Sequence, residues 1–156
     1  MATHSIHRVQ QIPVSLEKAW DYFANPANLG AITPEYMDFN TISKFHGDRI
    51  YPGQIIEYKV RPVWNIQVYW MTEIVHVKDQ VYFVDEQRRG PYRLWHHQHH
   101  FKAIEGGVEM TDLVHYQNPG WIFDGLADRF FVRKKLEGIF DYRYKKIEEM
   151  FGKWAL

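Results

Sequence analysis

Four of the nine histidines of this chain lie within the five positions 96–100, a density that points to a chemical role. Side chains alternate between the two faces of an extended strand. His97 and His99 therefore share one face and form what we call the inner histidine pair. His96 and His100 point to the other face, where we expect them to be exposed to solvent. The inner pair predicts either a metal site or the polar lining of an otherwise apolar cavity.

A His-x-His pair on one strand face has a geometry that can bind a metal, since neutral imidazole suits zinc, iron, copper or nickel. The metal alternative uses His97 and His99 with a third ligand, Asp112 or His115. Asp112 is the better placed of the two if the strands pair as a simple hairpin. Paired imidazoles also hydrogen-bond buried carboxylates, and Asp85 or Asp112 could serve. We favour that second interpretation and predict no cofactor.

Asp85, Gln87 and Asp112 form a second polar group, because alternation places them on the strand faces that also carry apolar side chains. A carboxylate in an apolar setting needs partners, and the inner histidine pair or the Tyr116 hydroxyl could provide them. Three roles follow: a polar anchor for a ligand, a network that holds the sheet register, or an acid/base pair of His97 with Asp112 or Asp85. We favour the anchor or the network over catalysis.

The elements that position these residues are legible from hydrophobic periodicity and turn residues. The predicted order is a strand (residues 5–13), a helix (15–23) that Ser15 caps, a short helical turn (26–32), antiparallel strands (37–116) and a long C-terminal helix. Short turns between successive strands predict an antiparallel meander of about six or seven strands. A long helix across one face of a curved sheet gives a two-layer α+β domain, with a pocket where the layers separate.

The predicted C-terminal helix carries an apolar stripe, preceded by a break between residues 125 and 129. The stripe contains Val132, Leu136, Ile139, Phe140, Ile147 and Met150. Gly138 costs this helix about 1 kcal/mol relative to alanine, so we expect it to allow close approach to the sheet or to leave room beneath the helix. Arg143 falls within the stripe; we expect it to reach the surface, with an ion pair to a sheet carboxylate as the alternative.

Composition excludes several classes of function. The formal net charge is zero, so we expect no nucleic-acid partner. The absence of cysteine removes disulfides, thiol catalysis and Cys-ligated zinc. We expect neither a signal peptide nor stable membrane insertion, and hence a cytoplasmic protein of one domain (1–156). The aromatic share of 17% favours large side chains arranged around an internal space.

Several motifs, in this order along the chain, resemble the START-like superfamily and, within it, the bacterial SRPBCC ligand-binding proteins. They are residues 20–29, Thr33-Pro34, residues 53–58, residues 70–74, residues 85–92, Trp95 with His97 and His99, Asp112 with Tyr116, and residues 139–143. The resemblance implies a helix-grip fold with a hydrophobic cavity between the sheet and the C-terminal helix. It also implies binding of a lipid, sterol, polyketide or similar apolar molecule, while some relatives are cyclases or hydrolases.

Together these observations predict a carrier or sensor of a hydrophobic or amphipathic small molecule, such as a lipid or a polyketide-like compound. The predicted ligand-binding residues are Trp70, Phe83, Asp85, Gln87, Trp95, His97, His99, Asp112, Tyr116, Leu136 and Phe140. One alternative is an enzyme of the polyketide-cyclase or dehydratase type that uses His97 and Asp112. Others are a metal-binding protein with His97, His99 and Asp112 as ligands, and a partner-binding protein with a vestigial pocket.

Overall fold

The fold is seen in a computed structural model, which describes residues 2–44, 49–62, 66–118 and 126–155, with the backbone alone for 126–129. Seven strands and two α-helices lie within these ranges. They are β1 (His4–Ile12), α1 (Leu16–Phe23), β2 (Asn40–Thr41), β3 (Ile55–Val60), β4 (Val68–Lys78), β5 (Tyr82–Arg89), β6 (Leu94–Ile104), β7 (Gly107–Gln117) and α2 (Leu126–Phe151). Short 3-10 helices at Pro26–Ile32 and Glu35–Met37 follow α1.

The strands form one antiparallel sheet in the order β1-β7-β6-β5-β4-β3-β2. Consecutive strands pair as the sequence predicts, except that β1 crosses to the far edge and pairs with β7. The ladder between β4 and β5 has two register shifts, which bend and twist a strand pair locally. The register also sets the site: His97 lies opposite Asp85 on β5, and His99 lies opposite Asp112 on β7.

Helix α1 anchors one end of the sheet. The Ser15 hydroxyl accepts a hydrogen bond from the Lys18 backbone N–H at 3.2 Å, so the predicted N-cap is confirmed. Trp20 is almost completely buried, and its ring meets Phe83 and Phe101 edge-on at centroid distances of 6.0 and 5.4 Å. This aromatic contact fixes α1 against β5 and β6.

Helix α2 lies against the same face of the sheet and buries the predicted stripe residues Val132, Leu136, Phe140 and Ile147. The α+β prediction is confirmed. Met150, also predicted for the stripe, is 41% exposed near the helix end. The helix begins inside the interval 125–129 where the sequence predicts a break, and the segment before it lies outside the described residues. Across the described ranges, no helix combines the length and the hydropathy that a membrane span requires.

The predictions for Gly138 are wrong, because this residue lies on the exposed side of α2 and a Cβ added there meets nothing within 4 Å. We therefore expect Gly138→Ala to raise the free energy of unfolding by about 0.5–1 kcal/mol, through helix propensity alone. Gly107→Ala is the contrasting variant, since its Cβ would lie 2.2 Å from the Ile12 carbonyl oxygen and force β1 and β7 apart. Urea unfolding of both variants checks this, and a destabilised Gly138→Ala would contradict it.

Candidate functional site

A cavity of about 160 Å³ lies between β3, β4, β5 and β6, helix α2, and the segment after α1. Its walls are mostly apolar. The lining includes Phe23, Leu29, Ile32, Met37, Phe39, Ile56, Tyr58, Val60, Trp70, Ile74, Phe83, Tyr92, Trp95, Leu136, Ile139 and Phe140. Asp85, His97, His99 and Arg143 contribute charged or titratable groups to the same lining. The cavity is therefore apolar along most of its walls, with a compact polar cluster where β5, β6 and α2 meet.

Most of the predicted site residues surround this cavity. Trp70, Phe83, Asp85, Trp95, His97, His99, Leu136 and Phe140 line it. Strand alternation brings them together, because the inward face of each strand looks toward the same helix. Trp95 also packs edge-on against Trp70, with a centroid distance of 5.3 Å.

The structure places three other predicted residues off the cavity lining. Gln87 hydrogen-bonds the backbone of Tyr92, donating from Nε2 to the carbonyl at 2.6 Å and accepting the N–H at 3.2 Å, so it closes the turn before β6. Tyr116 is buried in a second apolar cluster beside the cavity. Asp112 lies behind the inner histidine pair and lines a smaller space of about 90 Å³ on the far side.

A buried network joins the inner histidine pair to two carboxylates. Nε2 of His97 lies 2.7 Å from Oδ1 of Asp112, and Nε2 of His99 lies 2.9 Å from Oδ2 of Asp85. The free side of the His97 ring also approaches Asp85, with Nδ1 3.6 Å from Oδ2. The four side chains are at most 16% exposed. The predicted imidazole–carboxylate partnership is thus present, and each histidine contacts a carboxylate on either side.

His99 has one incompletely satisfied atom. Its Nδ1 lies 3.0 Å from Oδ1 of Asp112, within ion-pair distance, but makes no hydrogen bond. The ring is held by stacking on Phe83 at a centroid distance of 4.1 Å and by the His97 ring at 3.7 Å. The two imidazoles are therefore fixed side by side with little freedom to rotate.

Arg143 brings a positively charged side chain from α2 to the buried carboxylates. Its side chain is only 11% exposed, so the expectation that it extends to the surface is wrong. Nη1 lies 3.8 Å from Oδ1 of Asp112, the guanidinium lies over the Phe140 ring at 5.3 Å, and buried Nε has no hydrogen-bond partner. A buried cation beside two carboxylates offsets charge that would otherwise be costly to desolvate.

Burial and neighbouring charges shift the pKa values of the cluster in opposite directions. Burial raises the pKa of Asp112, but the hydrogen bond with His97 and the contact with His99 lower it well below its usual range. Burial also raises the pKa of Asp85, but His99, His97 and Arg143 together outweigh that effect, so the pKa is lowered. Burial lowers the pKa of His97, whereas for His99 the two carboxylates outweigh burial and raise the pKa. The contacts thus favour the ionised carboxylates and the charged form of His99, whereas burial favours the neutral form of His97.

Three atoms of this cluster could hold a metal ion: Asp85 offers a carboxylate oxygen, and His97 and His99 each offer a ring nitrogen, all within 4.8 Å of one another. This set differs from the predicted one, because Asp85 rather than Asp112 stands on the cavity side. His115, the other predicted third ligand, has its ring 6.3 Å from that of His96 on the outer face of the sheet.

The outer histidines form a separate ladder. His96 contacts Glu86 at 2.8 Å through Nδ1, and His100 lies 2.9 Å from the Gln98 amide oxygen. They face away from the cavity as predicted, although both are half-buried rather than freely exposed. Their hydrogen-bond partners, Glu86 and Gln98, lie outside the inner cluster, so the outer histidines provide a natural control for it.

A second polar group in the cavity wall was not predicted from the sequence. The Tyr58 and Thr72 hydroxyls lie 3.2 Å apart, and the Trp70 indole N–H donates to the Thr72 hydroxyl at 3.0 Å. Burial raises the Tyr58 pKa, so this hydroxyl stays protonated. Strand alternation already placed Tyr58 on the same face as Ile56, and Thr72 on the same face as Trp70, so the sequence did indicate which strand face each hydroxyl occupies. The sequence did not indicate the register between β3 and β4, which brings Tyr58 beside Trp70 and Thr72.

Comparisons with known proteins support the fold alone. Neither a family model nor a curated protein matches the chain. Among solved structures, it is similar to protein Ms6760 from Mycobacterium smegmatis (TM-score 0.68, 13% identity, 94% of this chain and 89% of that one). It is also similar to TTHA0849 from Thermus thermophilus, with a TM-score of 0.67 and 16% identity over 94% of this chain and 95% of that one. A third similar structure is the Bet v 1-like Ara h 8.0201, with a TM-score of 0.61 and 14% identity over 95% of this chain and 99% of that one. The chain has the helix-grip fold.

The buried carboxylates predict acid sensitivity. Because the folded-state pKa values of Asp85 and Asp112 lie below the unfolded value of about 3.9, their stabilisation is present above that pH and is lost as pH falls through the folded values. We expect the free energy of unfolding to fall between about pH 5 and pH 2.5, and to fall less steeply in Asp112→Asn. Urea unfolding with a chelator present measures both slopes. Equal slopes would contradict the assignment to Asp112.

Proposed function

We propose that the protein binds a hydrophobic or amphipathic small molecule in the cavity between sheet and helix, as a carrier or sensor. The observation that carries this proposal is an apolar cavity with one compact polar cluster in its wall. Small-molecule sites generally combine apolar walls with a few placed polar groups, which orient the ligand. A lipid or a polyketide-like compound fits that description.

The size of the cavity supports an occupant. Protein interiors pack densely and leave few voids larger than a water molecule, so about 160 Å³ is more than a packing defect. An apolar cavity of about 150 Å³ is known to stay dry and to take up benzene. A single-ring or short-chain molecule therefore fits without rearrangement. A larger lipid or polyketide-like ligand requires lining side chains such as Phe39 and Tyr92 to move.

The polar end has a donor in place for such a ligand. Arg143 lines the cavity, and its buried Nε lacks a hydrogen-bond partner. An unsatisfied buried donor is costly, and a ligand hydroxyl, carbonyl or carboxylate oxygen would relieve that cost. The hydroxyls of Tyr58 and Thr72 offer a second polar position on the opposite wall. We therefore assign the ligand a polar group at the Arg143 end and an apolar body against Trp70 and Trp95.

The resemblance to START-like ligand-binding proteins supports the same proposal, with residues 1–156 as one ligand-binding domain. The fold by itself is a weak argument for function, because one fold hosts many activities. The main support for ligand binding is therefore the cavity lining, which combines aromatic walls with a cluster of charged groups.

Catalysis by His97 and Asp112 is the second candidate, and their 2.7 Å contact is the observation in its favour. Asp112 could orient the ring and stabilise its charged form, as the carboxylate of a catalytic triad does. The other ring nitrogen, however, faces Asp85 at 3.6 Å. A substrate group would have to enter between this nitrogen and the Asp85 carboxylate to be deprotonated there, whereas binding in the cavity needs no such entry. The geometry therefore favours binding.

Filling the cavity tests the binding proposal. Leu136→Trp adds a large side chain to the lining, and we expect it to abolish uptake of 4-propylphenol, a single-ring molecule with one hydroxyl, measured by isothermal titration calorimetry. Leu94→Trp, at a position 37% exposed at the start of β6, is the matched control and should bind like the wild type.

Native mass spectrometry of the purified wild-type protein, followed by solvent extraction, should also reveal a co-purified apolar compound. The proposal fails if the wild type carries no such compound and takes up no 4-propylphenol. It also fails if Leu136→Trp, shown to be folded by circular dichroism, binds as well as the control does.

A further inference from the structure

We propose that Asp85, His97 and His99 form a binding site for a divalent transition-metal ion such as Zn²⁺ or Fe²⁺ at the polar end of the cavity. Two imidazole nitrogens and one carboxylate oxygen suit these ions, whereas Mg²⁺ and Ca²⁺ prefer oxygen ligands alone. The site uses protein atoms only, so it does not rest on the proposed binding of an apolar molecule.

The distances match a metal site. Ligand atoms bound at about 2.1 Å to a tetrahedral ion lie about 3.4 Å from one another. Oδ2 of Asp85 lies 2.9 Å from Nε2 of His99 and 3.6 Å from Nδ1 of His97, which bracket that value. One ligand atom from each of the three residues lies within 4.8 Å of the other two, so the side chains are close enough to bind one ion together after local adjustment.

The hydrogen bonds select the correct tautomers. Ionised Asp112 can only accept, so Nε2 of His97 carries the proton and Nδ1 presents a lone pair toward Asp85. Two acceptors, Nδ1 of His97 and Oδ2 of Asp85, therefore face each other with no proton between them. A cation placed there would bind both. His99 would coordinate through Nε2 and keep its proton on Nδ1, which lies 3.0 Å from Asp112.

Asp112 thus occupies the position of an outer carboxylate, since it hydrogen-bonds the His97 ring and lies 3.0 Å from Nδ1 of His99. Metal-bound histidines generally direct their other N–H to such a carboxylate, which fixes the ring and increases its basicity. Nε2 of His99 now lies in hydrogen-bond contact with Oδ2 of Asp85 at 2.9 Å, and the ion would take the place of the proton in that contact, with the proton released to solvent. Because the three ligands line the cavity and Asp112 does not, the open coordination positions face the cavity.

Zinc titration of the chelator-treated, full-length protein tests the site, with calorimetry as the first readout. We expect one Zn²⁺ to bind per chain, and Asp85→Asn and His99→Ala to lose that binding. Asp112→Asn should weaken it by about 10- to 100-fold, the effect of removing an outer-shell partner. His96→Ala and His100→Ala, on the outer face of β6, are matched controls that should bind as the wild type does.

Nitrogen-15 spectra of the histidine rings in the wild type supply a readout that no folding defect can imitate. Zinc should change the chemical shift of Nδ1 in one histidine ring and of Nε2 in a second ring. The spectra of the outer-face variants should show the same two changes. The proposal is overturned if the wild type shows no saturable zinc binding or if His96→Ala or His100→Ala loses that binding. It is also overturned if the two nitrogens whose chemical shifts change are both Nδ1 or both Nε2. Uptake of 4-propylphenol by the chelator-treated protein is measured separately, so failure of one proposal leaves the other testable.

Discussion

The burial of two carboxylates beneath a single helix is the constraint around which this molecule is organised. Asp85 and Asp112 lie on strands either side of β6 and are nearly enclosed, although an isolated carboxylate strongly disfavours a dry interior. The inner histidine pair and the Arg143 guanidinium provide the partners for their negative charge. The register of β5, β6 and β7, together with the position of α2, is thereby tied to one electrostatic requirement. A slip by one residue would send the histidines to the outer face and leave the carboxylates without partners.

The same constraint explains why the interior is open rather than filled. A layer of charged and hydrogen-bonded side chains cannot be packed over by aliphatic groups without leaving donors unsatisfied. Large aromatic rings stand around the cluster, and Trp70, Trp95 and Tyr92 touch one another at their edges instead of closing the space. The result is an apolar chamber with a rigid polar group in its wall. Its rigidity comes from stacking of His99 between Phe83 and His97.

Much of this could be predicted from local patterns. Alternation separated His97 and His99 from His96 and His100, and turn residues indicated the strand order that brings Asp85 and Asp112 beside them. The expectation for Arg143 failed because its long side chain is compatible with either solvent or the interior, and only the nearby Asp112 carboxylate decides between them. Gly138 was misassigned for a similar reason, since periodicity does not show how closely a helix approaches a sheet. Gln87 shared the inward face but was drawn to the backbone of Tyr92 by a turn whose geometry the sequence does not reveal.

The sequence by itself therefore determined the two-layer architecture, the inward face of each strand and the residue types available to the site, because these follow from local periodicity and turn chemistry. Only the tertiary structure decided which carboxylate stands on which side of the histidines. Asp85 faces the cavity and Asp112 stands behind it, a distinction of a few ångströms set by cross-strand register and by the twist of the sheet. The opposite directions in which the pKa values of His97 and His99 shift were decided in the same way. They depend on distances to groups far away along the chain, and no local pattern carries those distances.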